Sequence, residues 1–239
     1  MSDGADKQKA GRESYASQTL RPLNNLALVL PLLVFFQIGA TWYGTNLLLP
    51  RYIKGGLDFF GATVSFLPAM LIVGVLLAQH LAHRDKWDVR PDVVLLMIGE
   101  AAVWTVPLIA ISLLTGRIMA GAADAQGSLV LHEVLTAVGA GLYEEFFFRM
   151  VLISLMMLLL VDVIGLPKAM TAVACILVAA ALFGLCHFEG YFGAGEPFAW
   201  RRFIFLSAAG ALWGVLYLTR GFAIAVAAHA TWDIYVSFV

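Results

Sequence analysis

L-Y-E-E-F-F-F-R-M-V-L-I, residues 142–153, sets two adjacent carboxylates and a guanidinium, Glu144, Glu145 and Arg149, inside a largely apolar stretch that runs from residue 129 to residue 165. A carboxylate or guanidinium at mid-bilayer costs roughly 2.5 to 3.5 kcal/mol, so ionisable side chains in such a stretch point to a functional site and need partners. The surrounding chain is of the same kind. Of its 239 residues 61% are hydrophobic and only 13% charged, against about 45–50% and 25% in soluble domains. The expected fold is an all-α polytopic integral membrane protein with a polar cavity.

Apolar runs long enough to cross a bilayer occupy residues 26–49, 60–82, 93–114, 170–188, 203–219 and 222–239. Residues 129–165 are too many for one upright span and form either one long tilted helix or two helices meeting near Arg149. The count is therefore seven or eight transmembrane helices. The runs are too long and too evenly apolar for an outer-membrane barrel. Residues 1–25 are polar, without the apolar core of a signal peptide, and are expected as a short tail. Four Lys/Arg in that tail, with Arg84, Lys86 and Arg90 after the second run, place the N-terminus in the cytoplasm, whereas the links with Arg51, Lys54 and Arg117 are poorer in cations. Residues 26–239 read as a single membrane domain. Gly210 with Gly214, and Ala180 with Gly184, mark helix faces that permit close approach.

A net charge of −1 offers no basic face for phosphates and excludes a nucleic-acid partner. Cys175 and Cys186 sit in one apolar run, where they serve as small hydrophobes. The segment at His132, H-E-V-L-T, lacks the second histidine of the H-E-x-x-H zinc motif. A metal site built from His, Glu and Asp is nonetheless the chemical rival to metal-free water activation.

On a helix Glu145 and Arg149 stand at i and i+4 with the acid first, the better order for an ion pair, and Glu144 points about 100° away. The arginine then neutralises one glutamate and leaves the other as a candidate general base. His187 closes the segment A-L-F-G-L-C-H, with Phe183 one turn earlier on the same face, and His229 and Asp233 are again i and i+4. Scattered toward lipid these side chains would cost on the order of 10 kcal/mol, so they are expected to converge on one wet cavity. Glu100, in the middle of the third run, is expected to face the bundle, hydrogen-bonded to a neighbouring helix or lining that cavity. His80 and His83 are expected at the membrane interface. The aromatic segment 188–200 reads as an interfacial belt, or as a lip for a peptide tail.

E-E-F-F-F-R at residues 144–149 fits E-E-x-x-x-R, F-G-L-C-H at 183–187 fits F-x-x-x-H, and H-A-T-W-D at 229–233 fits H-x-x-x-N/D. In this order the three motifs resemble the signature of the CPBP family, which comprises the CAAX-processing proteases similar to the Ras-converting enzyme and the bacterial Abi and bacteriocin-immunity proteins. The resemblance covers residues 129–239, the motif-bearing protease core. It implies a metal-independent glutamic intramembrane endopeptidase without a cofactor, acting on a membrane-anchored peptide or protein, lipidated or not. By position, Glu144 and His187 would activate water, and His229 and Asp233 would stand where the family stabilises the oxyanion. Glu145 and Arg149, with Phe183, would support the site. Asp233 departs from the common Asn, because an ionised carboxylate accepts hydrogen bonds and donates none. It is either protonated or orients His229. The same residues could serve a non-catalytic scaffold or toxin-immunity protein, and less readily a proton-coupled transporter.

Overall fold

The computed structural model describes residues 14–43, 66–114, 130–190 and 196–238. Most of the expected tail, the links holding Arg51, Lys54 and Arg117, and residues 191–195 of the aromatic segment lie outside them. A short helix α1 (Tyr15–Thr19) precedes seven longer ones: α2 (Pro22–Tyr43), α3 (Leu67–His83), α4 (Pro91–Leu114), α5 (Val130–Val163), α6 (Lys168–Leu185), α7 (Trp200–Arg220) and α8 (Phe222–Ser237). Among the described residues there is no strand, only an isolated bridge between Phe188 and Glu196. Helices α2, α4, α5, α6 and α7 are long and apolar enough to cross a membrane, and α3 is a shorter apolar helix. This is a polytopic membrane protein.

The stretch around the acidic pair is one continuous helical run of 34 residues rather than two helices. It changes pitch along the way. The α-helical part ends at Glu145, a π-helical segment follows from Phe146 to Ile153, and a second runs from Leu158 to Val163. Such wide turns are rare overall and frequent at functional sites. Here the first begins immediately after the two glutamates.

Helix α8 is the hub of the bundle. Residues Phe222 to Val226 and Ala228 are almost wholly buried, and the helix packs on α5, α4, α7 and α2. Its alanines keep it thin. A Cβ placed on Gly141 of α5 would fall 2.9 Å from the Val226 carbonyl oxygen, so these two backbones nearly touch. The paired small residues of α6 and α7 also meet. A Cβ on Gly210 would lie 3.2 Å from the Ala180 Cα, the close approach on which helix packing relies where lipid supplies no hydrophobic drive. The outer faces are apolar in turn. Met170, Val173 and Leu177 form an exposed stripe along α6, as Leu95, Leu96 and Val103 do on α4, suited to acyl chains.

One end of the bundle is sealed by polar side chains. Asn25 donates to the Thr19 carbonyl at 2.7 Å and accepts from the Ala223 amide at 2.7 Å, capping an otherwise unsatisfied donor at the start of α8. Glu100 belongs to this end and not to a cavity. Its carboxylate receives both the Nε and Nη2 donors of Arg220 at 2.6 and 2.7 Å, the Tyr15 hydroxyl at 2.7 Å and the Trp104 indole N–H at 3.1 Å. Burial and the neighbouring Glu100 push the Tyr15 hydroxyl up to about 12, so it remains a donor at any physiological pH. His80 departs from expectation. It is buried, against the Trp87 ring at a centroid distance of 4.3 Å, because α3 turns that face inward; His83 alone is exposed.

The turn between α7 and α8 depends on Gly221, whose φ of 99° lies in the left-handed region. A Cβ there would stand 2.6 Å from the Thr19 carbonyl oxygen. Gly221→Ala should therefore cost more than about 1 kcal/mol, combining backbone strain with a backbone collision. The expected outcome is a lower unfolding temperature in detergent. An unchanged transition would refute this account of the turn.

Candidate active site

Two consecutive residues at the end of the α-helical part of α5 face in different directions. Glu145 points into the packed interior and is fully buried, while Glu144 is half-buried on the wall of a cavity of about 360 Å³. That divergence follows from the 100° step of a helix. The cavity is walled by α5, α6, α7 and α8. His187, His229 and Asp233 line it together with Glu144 and Phe183. Glu145 and Arg149 stand behind that wall.

The buried glutamate holds two partners at once. Its Oε1 lies 2.9 Å from Arg149 Nη1 and 2.7 Å from His229 Nδ1. The arginine contact is an ion pair without good hydrogen-bond alignment, since Nη1 finds no well-directed acceptor. Arg149 Nη2 is better placed, donating to the Gly210 carbonyl at 3.0 Å. The guanidinium also lies over the Phe183 ring, 4.7 Å from its centroid, and 5.6 Å from that of Trp213. A flat cation is thus clamped between a carboxylate, a carbonyl and aromatic faces, an arrangement suited to arginine rather than lysine.

His229 is the most constrained ring in the cavity. It stacks on Trp213 at 3.8 Å with planes 10° apart, and meets the Phe183 ring at 5.7 Å and a steep angle. Its Nδ1 donates to Glu145, while Nε2 lies 3.3 Å from Asp233 Oδ2 and 3.9 Å from Glu144 Oε2. Carboxylates accept and do not donate. Both ring nitrogens are therefore placed as donors, one held tightly and the other loosely.

His187 sits just past the end of α6. Its Nδ1 is 2.9 Å from the Phe183 carbonyl, a free acceptor of the last helical turn, and its ring leans on the Phe183 ring at 4.8 Å. With Nδ1 donating to that carbonyl, Nε2 is left as an acceptor. The chain then folds back: the Glu196 amide donates to the His187 carbonyl at 3.2 Å, and the Glu189 amide to the Glu196 carbonyl at 2.8 Å.

Several cavity residues were not anticipated from the sequence. Trp213, Glu133, Glu196 and Arg202 also line it. Trp213 looks like one more apolar residue of α7, although its position between Gly210 and Gly214 marks a face where that helix touches its neighbour. Glu196 and Arg202 carried no motif. Arg202 Nη1 meets Glu196 at 2.7 Å. Among the described residues no group of three His, Cys, Asp or Glu side chains is arranged to hold a metal ion.

Residues 126–235 match the family of Rce1-like type II CAAX prenyl endopeptidases. No curated protein and no solved structure matches the chain. The matched segment begins just before α5 and ends within α8, so it contains every cavity-lining residue except Val236 and Ser237. The match, over slightly less than half of the chain, is consistent with the CAAX-protease family that the three motifs resemble.

Proposed function

We propose that the protein is a glutamic intramembrane endopeptidase that hydrolyses a peptide bond of a membrane-anchored chain with a water molecule activated by Glu144 and His187. The observation that carries this reading is the convergence of Glu144, His187, His229 and Asp233 on one cavity, with Glu145 already committed to Arg149 and His229. Only one of the two adjacent carboxylates is thus left to act on water.

The water oxygen attacks the scissile carbonyl carbon while Glu144 takes its proton, with His187 Nε2 as a second acceptor that orients the water. The carbonyl oxygen becomes an oxyanion. His229 Nε2–H, held at 3.3 Å by Asp233, is the donor with slack to turn toward it, whereas Nδ1–H stays locked on Glu145. Asp233 then acts by orienting the imidazole, a role open to a carboxylate at a position where the family resembled commonly has an amide donor. Collapse of the tetrahedral intermediate breaks the C–N bond, and Glu144 returns the proton to the leaving amine. The stacked Trp213 and the edge of Phe183 fix the imidazole ring, so little reorganisation is needed as charge develops.

The test is cleavage of membrane-anchored peptides, prenylated and not, by the purified protein in detergent, with and without EDTA or phenanthroline. Chelators should leave turnover intact, and Glu144→Gln should lower kcat at least about 100-fold with the unfolding transition unchanged. Full activity in that variant would refute the general-base assignment, and chelator-sensitive cleavage would turn the same cavity into a metal site. Arg149→Ala is expected to behave differently. It leaves the fully buried Glu145 with His229 alone and should lose about 3 to 5 kcal/mol of stability, seen as aggregation or early unfolding rather than a folded but inactive protein.

A further inference from the structure

The helix directions fix where the cavity opens. Glu133 lies in the first turn of α5, His187 just past the end of α6, Arg202 in the first turn of α7, and Asp233 and Ser237 in the last two turns of α8. These helix ends meet at one end of the bundle, where the Glu196 side chain on the cavity rim is 49% exposed. The opposite end is closed. It holds the start of α2, the α3–α4 link and the α7–α8 turn, tied together by Asn25 to the Ala223 amide, by Arg21 Nη2 to the Lys86 carbonyl at 2.8 Å and by the Arg90 amide to Asn24 Oδ1 at 3.2 Å. Phe222 to Val226 are almost wholly buried, so the packed start of α8 separates this end from the catalytic side chains. The 21 residues of α7 put about 30 Å between the two ends. Helix α6 runs against α7, with Gly184 facing Ser207, Ala180 facing Gly210 and Ile176 facing Gly214, so Lys168 at its start also belongs to the closed end.

Lysine and arginine divide unevenly between these ends. Among the described residues Arg21, Arg84, Lys86, Arg90, Lys168 and Arg220 lie at the closed end, against Arg201 and Arg202 at the open one. Arg220 and Arg202 are each held by a glutamate, and leaving both out keeps the ratio at five to one. By sequence the tail adds Lys7, Lys9 and Arg12 to the first group and the links add Arg51, Lys54 and Arg117 to the second, three each, so the surplus stands. Short segments rich in Lys and Arg stay in the cytoplasm, and acids hardly offset them, so Asp85, Asp88 and Asp92 do not cancel the bias. From the helix directions and this surplus we infer that the closed end is cytoplasmic and that the cavity opens on the outer face of the membrane, so the bond it cuts lies in a segment already carried across. The orientation stands on charge and topology, and the cleavage rests on the endopeptidase reading of the same cavity. Glu144 and His187 then draw their water from the outer side. A chain anchored in the inner leaflet would have its scissile segment separated from them by packed helix. The reaction that supplies the substrate is therefore translocation of a membrane-anchored chain, and the released piece leaves outside the cytoplasm.

Orientation and cleavage are read separately. In cells making the full-length chain with Cys175→Ala and Cys186→Ala, single cysteines are introduced at two exposed positions, Ala199 before α7 and Asp88 in the α3–α4 link. A membrane-impermeant maleimide should label Ala199→Cys in intact cells and Asp88→Cys only after permeabilisation. Alkaline phosphatase fused after Val239, which folds to an active enzyme only outside the cytoplasm, should be active, and it serves if a cysteine variant does not accumulate. Cleavage is then followed in sealed vesicles given a fluorescent peptide anchored in their exposed leaflet alone. Right-side-out vesicles should cleave it and inverted ones should not, with Glu144→Gln as the blank. Labelling of Asp88→Cys in intact cells, an inactive phosphatase, or cleavage by inverted vesicles as fast as by right-side-out ones would overturn the inference. The expected labelling with no cleavage, in vesicles or in detergent, would sink the endopeptidase reading and leave the orientation standing. Reversed labelling of a protein that cleaves in detergent would do the opposite.

Discussion

The Glu145 carboxylate is the constraint on which the core of this protein turns. One oxygen serves both Arg149 and His229, so three side chains from two helices share a single acceptor in a region closed to water. In hydrocarbon surroundings none of the three could be buried alone at tolerable cost. Together they compensate one another, with the second ring nitrogen of His229 turned toward Asp233 and Glu144 and Arg149 extended to a third helix through the Gly210 carbonyl. Once that unit is in place, the rotation of α5 is set. Glu144, one residue earlier, has nowhere to point but the cavity.

The same unit explains why α7 and α8 pack as they do. His229 must approach Glu145 closely, and it can because the facing turn of α5 carries Gly141 and α8 is lined with alanine on that side. Trp213 then closes the opposite face of the imidazole, and Gly210, one turn away on α7, lets Phe183 reach both the arginine and the ring. Small residues here do more than shorten helix distances. They create the space in which one buried cluster can be assembled from separate spans, and they bring the α7–α8 turn against the amino-terminal segment at Thr19 and Asn25.

What could be read from the amino acids alone was whatever is periodic or local. The apolar runs, the i and i+4 partners Glu145–Arg149 and His229–Asp233, and the divergence of Glu144 from Glu145 all follow from helix geometry, and the described residues hold both pairs and that divergence. The bond from His229 to Glu145 does not follow, because 84 residues separate them and no spacing encodes a contact between helices. The π-helical segment after Glu145 left no mark in the pattern either, since a wide turn is selected by packing and not by composition. Glu100 looked equally suited to the cavity or to a helix contact. Its partner Arg220 lies 120 residues away, so nothing nearby in the chain could choose between them. His80 was misjudged for a related reason: position near a helix end suggests solvation, but the face it occupies is buried, with the Trp87 ring of the following link against it.

A cavity bearing Glu133, Glu144, Glu196 and Asp233 on its walls, against Arg202 and two histidines, is richer in acceptors than in donors. Carboxylates so close to one another inside a bundle of apolar helices need solvation that their neighbours do not wholly supply, and water is the donor small enough to provide it. An excess of acceptors therefore favours water in the cavity even though α5, α6 and α7 carry exposed apolar residues on their outer faces. For a hydrolase that wetness is also the supply of its second reactant. It places a cost on the peptide, whose carbonyl must displace water without offering the acids a replacement donor. The donor on that wall with slack to compensate is His229, proposed to meet the carbonyl under attack, so a substrate would exchange the water it displaces for one oriented N–H beside Glu144.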